Sequence, residues 1–153
     1  MLHLWLYNYI NMATQPFLLL NNSDGCFRVP LAKIKYCTSY NSSTVFHTNG
    51  DHKPIVIARP IIYYENVLAA HGFVRIHYST LLNIEYMCHT SKGDDINELT
   101  LTTGEKLTIS RPRRTAVLQE LKRMSVEQVN PTKKQVDMKS KQKSRIAATS
   151  KER

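Results

Sequence analysis

The residues best suited to chemistry stand in "SRPRR", residues 110 to 114, where Arg111, Arg113 and Arg114 follow Ser110 at the start of a predicted helix. Cations in a first helical turn oppose the helix dipole by about 0.3–1 kcal/mol each, so stability alone favours Asp or Glu there. A bound anion reverses that preference. Free backbone N–H groups together with guanidiniums make a phosphate site, and arginine both grips phosphate through two donors and reads guanine edges. Solvated arginines with no partner are the competing reading of the segment taken alone.

Other reactive side chains lack the company that catalysis requires. His77 and Ser79 are two apart, which on a strand places both on one face, but no glycine-flanked nucleophile elbow and no third member accompany them. Cys88 and His89 are adjacent, without the Cys-x-x-Cys or His-x-x-x-His spacing that lets two ligands reach one ion. Asp94 and Asp95 lie in "SKGDD", a turn with Lys92 in which solvated carboxylates are the default. Glycine patterns of phosphate-cradling or dinucleotide loops are absent. The chain therefore reads as a non-enzyme, with no catalytic residue, cofactor, metal or small-molecule substrate expected.

The elements that hold the arginines must come from one domain. At 153 residues and 42% hydrophobic content, the chain has material for one core and tails. Its net charge of +9 is uneven, because Arg111 to Arg153 holds 13 basic and 4 acidic residues and so carries the whole excess. A neutral body with a basic end suits a polyanion, either nucleic acid or an anionic membrane surface, and equally a tail that only keeps the protein soluble. Cys26, Cys37 and Cys88 are an odd number at wide spacing, which fits free thiols in a reducing compartment and a cytoplasmic location. The opening "MLHLWLYNYINMATQPF" lacks a basic region, a cleavage site and the ~20 apolar residues of a membrane span. Residues 1 to 15 are expected outside the fold, with either Met1 or Met12 as the start.

From Pro16 onward, short apolar runs alternate with turn residues. "FLLL", the turn "NNSDG" and "CFRVPL" predict a hairpin. "IKYC" and "TVFH" bracket the polar loop "TSYNSS", and "PIVIA" predicts another strand with proline at its edge. "NELTLTTGEKLTIS" alternates apolar and polar residues on either side of a glycine turn, which predicts a further hairpin. Two helices interrupt the strands. Pro60 opens "RPIIYYENVLAAHG", with Ile61, Tyr64 and Leu68 on one stripe and Gly72 as its stop. Pro112 opens "SRPRRTAVLQELKRM", whose stripe is Val117, Leu118, Leu121 and Met124. From about Asn130 the chain is polar, basic and free of aromatics, so it is expected to be disordered. The plan is an extension over 1–15, a domain over 16–126 and a basic tail over 127–153.

One stretch does not fit a plain strand. In "GFVRIHYSTLLNI", residues 72 to 84, apolar side chains surround Arg75, His77, Tyr78, Ser79 and Asn83. The order "FVRIHYSTLLN" resembles the signature of the LytTR family of bacterial DNA-binding domains, in which Phe, Arg, His, Ser and a terminal Asn recur at this spacing. "IKYCTSYNSSTVFHTNG" resembles the family's early strand-loop-strand, "IVIARPIIYYENVL" its strand and helix, and "TLTTGEKLTISRPRR" its closing hairpin. The likeness runs from Phe17 to Met124. Tyr78 stands where the family commonly carries Arg, Lys, Asn or Gln, and Pro112 where some members carry a basic residue.

The resemblance implies a mainly β, β-rich α+β fold, with roughly ten short strands in small sheets and two short helices. It implies contact with DNA through loops laid into successive major grooves. Three loops would form one face. The first offers Asn41, Ser42, Ser43 and Thr44. The second offers Arg75, His77, Tyr78 and Ser79, with Arg75 and His77 structural or beside phosphate, Tyr78 and Ser79 outward, and Asn83 holding the turn. The third offers Ser110, Arg111, Arg113 and Arg114. The implied protein is a transcriptional regulator binding double-stranded DNA at tandem direct repeats, as a homodimer on DNA and away from membranes. It is expected to stand alone, since the short segment before the first strand leaves no room for a receiver domain. A β-rich protein-interaction module with a basic tail and an RNA-binding protein are the alternatives.

Overall fold

Strand formation follows the placement of apolar side chains. In β3 (Ile34–Tyr40) Ile34 and Cys37 are buried, and in β4 (Ser43–Thr48) Thr44 and Phe46 are. The computed structural model describes residues 1–50, 52–91 and 96–129. Within them lie eight further strands: β1 (Phe17–Asn22), β2 (Gly25–Pro30), β5 (Ile55–Ile57), β6 (Phe73–His77), β7 (Thr80–Asn83), β8 (Met87–Thr90), β9 (Glu98–Leu101) and β10 (Lys106–Thr108). Every pairing is antiparallel. The strands form a five-stranded sheet in the order β5-β4-β3-β7-β6, a β1-β2 hairpin, and a three-stranded sheet in the order β10-β9-β8. This is the expected β-rich architecture of small sheets.

Three α-helices accompany the strands: α1 (Leu2–Thr14), α2 (Ile61–Leu68) and α3 (Arg114–Val129). In α2 the buried residues are Ile61, Tyr64 and Leu68, the predicted stripe. They join a core with Leu20, Ile34, Phe46 and Phe73 among its members, and the Tyr64 ring meets Phe46 edge-on at 4.8 Å. Gly72 ends the helical segment at φ 76°, where a side chain would be strained. Asn83, almost fully buried, donates to the carbonyls of Ile34 at 2.9 Å and Leu31 at 3.4 Å, and its oxygen accepts the Glu85 N–H at 3.2 Å. It is the turn holder that the sequence suggested.

A polar clamp joins the five-stranded sheet to the three-stranded one. Glu105, in the β9-β10 turn, accepts from Lys35 Nζ at 2.6 Å and from Tyr36 OH at 3.2 Å. Burial, reinforced by the Glu105 charge, pushes the Tyr36 hydroxyl up to about 12. Tyr36 also stacks on His47 at 4.3 Å, and the His47 Nε2 lies 3.0 Å from the Thr38 hydroxyl.

The chain divides into two units, Met1–Val117 and Leu118–Arg153. Val117 is fully buried in the first. In the second, Leu118, Leu121 and Met124 are half-buried, so the predicted four-residue stripe buries completely only at its first member. Glu120 and Arg123 form an ion pair there. The expected disorder from Asn130 lies outside the described residues, as do Lys92, Asp94 and Asp95. The helix α1 was not anticipated. Its described side chains are all exposed, among them Leu2, Trp5, Leu6, Tyr9 and Ile10, and Trp5 stacks on Tyr9 at 5.6 Å. Cys37 is buried, which pushes its thiol up, while Cys26 and Cys88 are exposed; all three are free.

Candidate nucleic-acid interface

The register of the five-stranded sheet decides which loops meet. β3 ends at Tyr40 and turns through Asn41 and Ser42 into β4, with Tyr40 opposite Ser43. β6 ends at His77 and turns through Tyr78 and Ser79 into β7. Because Thr38 pairs with Thr80 and the Ser39 N–H donates to the Ser79 carbonyl at 2.8 Å, both turns project from the same end of the sheet. The third loop is fastened there as well. The Ser110 N–H donates to the Ile76 carbonyl at 2.9 Å, one residue before the end of β6. The three predicted loops therefore converge.

In the first loop Asn41 takes the left-handed conformation, φ 52°, which asparagine tolerates better than most residues. Asn41 and Ser42 are exposed and Ser43 is half-buried. Thr44 points the other way: it is 0% exposed and donates to the Arg59 carbonyl at 2.7 Å, so its side chain has no access to a ligand. The alternation of a strand explains this, since the first loop ends one residue earlier. Tyr40, just before the turn, is 68% exposed.

The second loop is held from within by Arg75. Its Nε donates to the His77 carbonyl at 2.7 Å, its guanidinium reaches the Tyr78 carbonyl, and it pairs with Glu65 at 2.7 Å, leaving the side chain 10% exposed. His77 Nδ1 lies 2.8 Å from the Ser79 hydroxyl and accepts the Ser79 N–H at 3.3 Å. Ser79 is accordingly half-buried and engaged with His77, not turned outward. Tyr78 is 75% exposed. Strand alternation would set His77 and Tyr78 on opposite sides, yet their ring centroids are 4.3 Å apart, because the chain already turns at Tyr78.

The third loop departs from the simple helix start. Arg111–Arg113 form a 3-10 turn, and α3 begins at Arg114. The Arg113 N–H donates to Ser110 and the Arg114 N–H to Arg111, while Pro112 has none. Most amides expected to be free for an anion are therefore taken, and the chemistry rests on the guanidiniums. Arg113 approaches Glu65 at 3.7 Å with its side chain 43% exposed, and Arg114 reaches Asn97. Arg111 is exposed, and among the described residues no acidic side chain pairs with it.

Segments 40–44, 77–79 and 110–114 contain no Asp or Glu. Glu65, the acid that reaches them from α2, is shared by Arg75 and Arg113. A cavity of about 750 Å³ opens at the other end of the sheet among residues such as Asn22, Arg28, Lys33, Thr48 and His52, and no residue of the three loops lines it. Among the described residues no group of three His, Cys, Asp or Glu side chains is arranged for a metal, and no helix is long and apolar enough to cross a membrane.

A small β-rich scaffold that gathers arginines, Arg111 among them without an acidic partner, and exposed tyrosines on loops at one end has the makings of a nucleic-acid-binding module without a recognition helix. Residues 24–122 match the family model of the LytTr DNA-binding domain, and the chain belongs to that family. Its members are non-catalytic regulatory modules that bind double-stranded DNA with sequence specificity. Among solved structures, the fold is similar to the LytTr DNA-binding domain of a protein described as a methyl-accepting/DNA response regulator from Bacillus cereus. The TM-score is 0.59 at 18% identity, over 70% of this chain and 97% of the other. Comparison with curated proteins gives no significant match.

Proposed function

We propose that this chain regulates transcription in the bacterial cytoplasm by laying its three convergent loops into successive major grooves of duplex DNA, at tandem direct repeats that seat two copies. Asn41, Ser42, Ser43, Tyr78, Arg111 and Arg113 face the DNA in this reading. Thr44, Arg75, His77, Ser79 and Ser110 set the shape of the loops, and Arg114 anchors the third loop through Asn97. Tyr78 offers a hydroxyl to phosphate or a ring for stacking, but not the paired donor and acceptor that an amide presents to adenine. Discrimination then falls mainly to Arg111 and Arg113.

The single observation that carries the reading is the exposed Arg111 at the meeting point of three acid-free loops. A gel shift on a promoter fragment tests it, with tRNA and heparin as competitors: the duplex complex should survive tRNA at matched mass and collapse with salt. Equal affinity for tRNA would make the protein an RNA binder. A second reading, protein interaction, has its own support in the exposed apolar stripe of α1, and it gains if no duplex is bound while the protein pulls down a defined partner.

A further inference from the structure

Arg59 lies beside the first loop, with Tyr63 against it, and neither was among the residues the sequence singled out. Arg59 follows β5 closely, and its carbonyl accepts the Thr44 hydroxyl at 2.7 Å, which places it next to the first loop. Its N–H donates to the Ile57 carbonyl at 2.8 Å, so its backbone is fixed on both sides. The side chain is not left to wander. The guanidinium carbon stands 4.3 Å from the centroid of the Tyr63 ring, one turn into α2, and both residues are exposed. Stacking of this kind occupies the flat face of a guanidinium and leaves its N–H edges directed away from the ring.

Two further facts bear on what those edges meet. Segment 58–64 contains no Asp or Glu, and among the described residues no ion pair engages Arg59. The one nearby acid on the same helix, Glu65, is already shared by Arg75 and Arg113. A pre-oriented guanidinium without an internal counter-charge, at the edge of a DNA-binding face, is built for an anion supplied from outside. We infer that Arg59, held over the Tyr63 ring, is a fourth point of contact with DNA and takes a backbone phosphate next to the groove entered by the first loop. The inference rests on the three-loop reading and extends the footprint across the start of α2. A phosphate contact adds affinity and register without reading sequence.

The test is titration of the full chain and its variants with two fluorescein-labelled duplexes, one of random sequence and one selected by the wild-type protein from a random pool. Arg59→Gln should weaken both by the same factor, roughly tenfold at low salt, and flatten the slope of log affinity against log salt by about 0.9. Arg59→Lys should recover the slope but not all the affinity, because the charge returns without the stacked fork. Tyr63→Leu should lower affinity while keeping the slope. Thermal melting should be unchanged in all three. An Arg59→Gln protein with wild-type affinity and slope overturns the inference, and so does one that melts lower with the slope intact, which would make the stack structural. A loss confined to the selected duplex also overturns it, since Arg59 would then read a base. Arg111→Ala, run alongside, separates the two levels: if it loses affinity while Arg59→Gln does not, the three loops stand and the fourth contact falls. A wild-type protein that binds neither duplex overturns both.

Discussion

Arg75 is the residue on which the second loop depends. It satisfies two turn carbonyls and pairs with Glu65 while nearly buried, so Arg75→Met should cost about 2–4 kcal/mol, part of it from stranding Glu65. Thermal melting checks this, and an unchanged midpoint would show that the turn holds itself. His77 and Tyr78 separate stability from binding in the same loop. His77→Ala removes the acceptor of the Ser79 amide and the partner of its hydroxyl, an expected loss of about 1–2 kcal/mol. Tyr78→Ala should leave melting unchanged and weaken DNA. Arg111→Ala should also melt like wild type, because no internal partner is lost, and should cost about 1–3 kcal/mol on specific duplex if it reads a base. At this scale the sequence was partly legible. The assignment of Arg75, His77 and Asn83 to local structure followed from polar residues set among apolar ones, whereas Ser79 was turned outward with Tyr78 on the strength of the family resemblance, although its two-residue spacing from His77 points to the contact the structure shows. Thr44 was counted as a contact because a loop's end is invisible to composition. Arg59 was missed because Arg-Pro reads as a helix start and nothing in the sequence ties it to Tyr63 or to the first loop.

Among the elements, the hairpins were the most legible. Apolar alternation and turn residues specify β1-β2 and β9-β10 locally, and the stripe Ile61, Tyr64, Leu68 specifies α2. The 3-10 turn before α3 was not legible, because proline permits either helix start and the choice depends on the Ser110 carbonyl that receives Arg113. The helix α1 had a signal that went unused: Leu2, Trp5, Leu6, Tyr9 and Ile10 fall at helical spacing, but the segment lacks capping or charged residues to mark it. Lys35, Tyr36 and Glu105 join elements distant in sequence, a kind of contact that single-sequence patterns do not reveal. Glu105→Gln should weaken that clamp by about 0.5–1 kcal/mol, a small figure because the ion pair is partly solvated and water screens it. A melting point equal to wild type would show that the two sheets are joined by their apolar contacts alone.

For the whole molecule, acidity and salt act on different properties. Burial, with Lys35 close by, holds the His47 imidazole below its ordinary 6.5. The unfolded chain therefore binds the proton first as pH falls, so the stability contributed by neutral His47 is complete above pH 6.5 and is lost as pH drops through the lower folded value. For Glu105, burial pulls its pKa upward, but hydrogen bonds from Lys35, Thr103 and Tyr36 and the Lys35 charge prevail and hold it below 4.5. Its contribution is present above that value and is lost below it. Melting points should fall between about pH 7 and 5, and His47→Gln should flatten that fall; an equally steep fall in the variant would assign the effect elsewhere. Salt acts on DNA binding instead. Contact with ~5 phosphates should give a log-log slope of about −4 to −5. Truncation after Gln128 removes Lys133 to Arg153, with 8 basic and 2 acidic residues, and should lower affinity for random duplex while leaving discrimination and melting intact.

The chain has one tryptophan, and it is Trp5, stacked on Tyr9 in a helix whose described side chains are exposed. Its emission therefore reports on α1 and is nearly blind to the β scaffold. A denaturation curve followed at tryptophan wavelengths would trace the melting of one solvent-facing helix and could finish before the sheets begin to open. Tyrosine signals are the better optical probe of the fold, since Tyr64 is buried against Phe46 and Tyr36 is stacked on His47. Divergence between the two dyes that nature supplied would expose independent unfolding of α1 without any label.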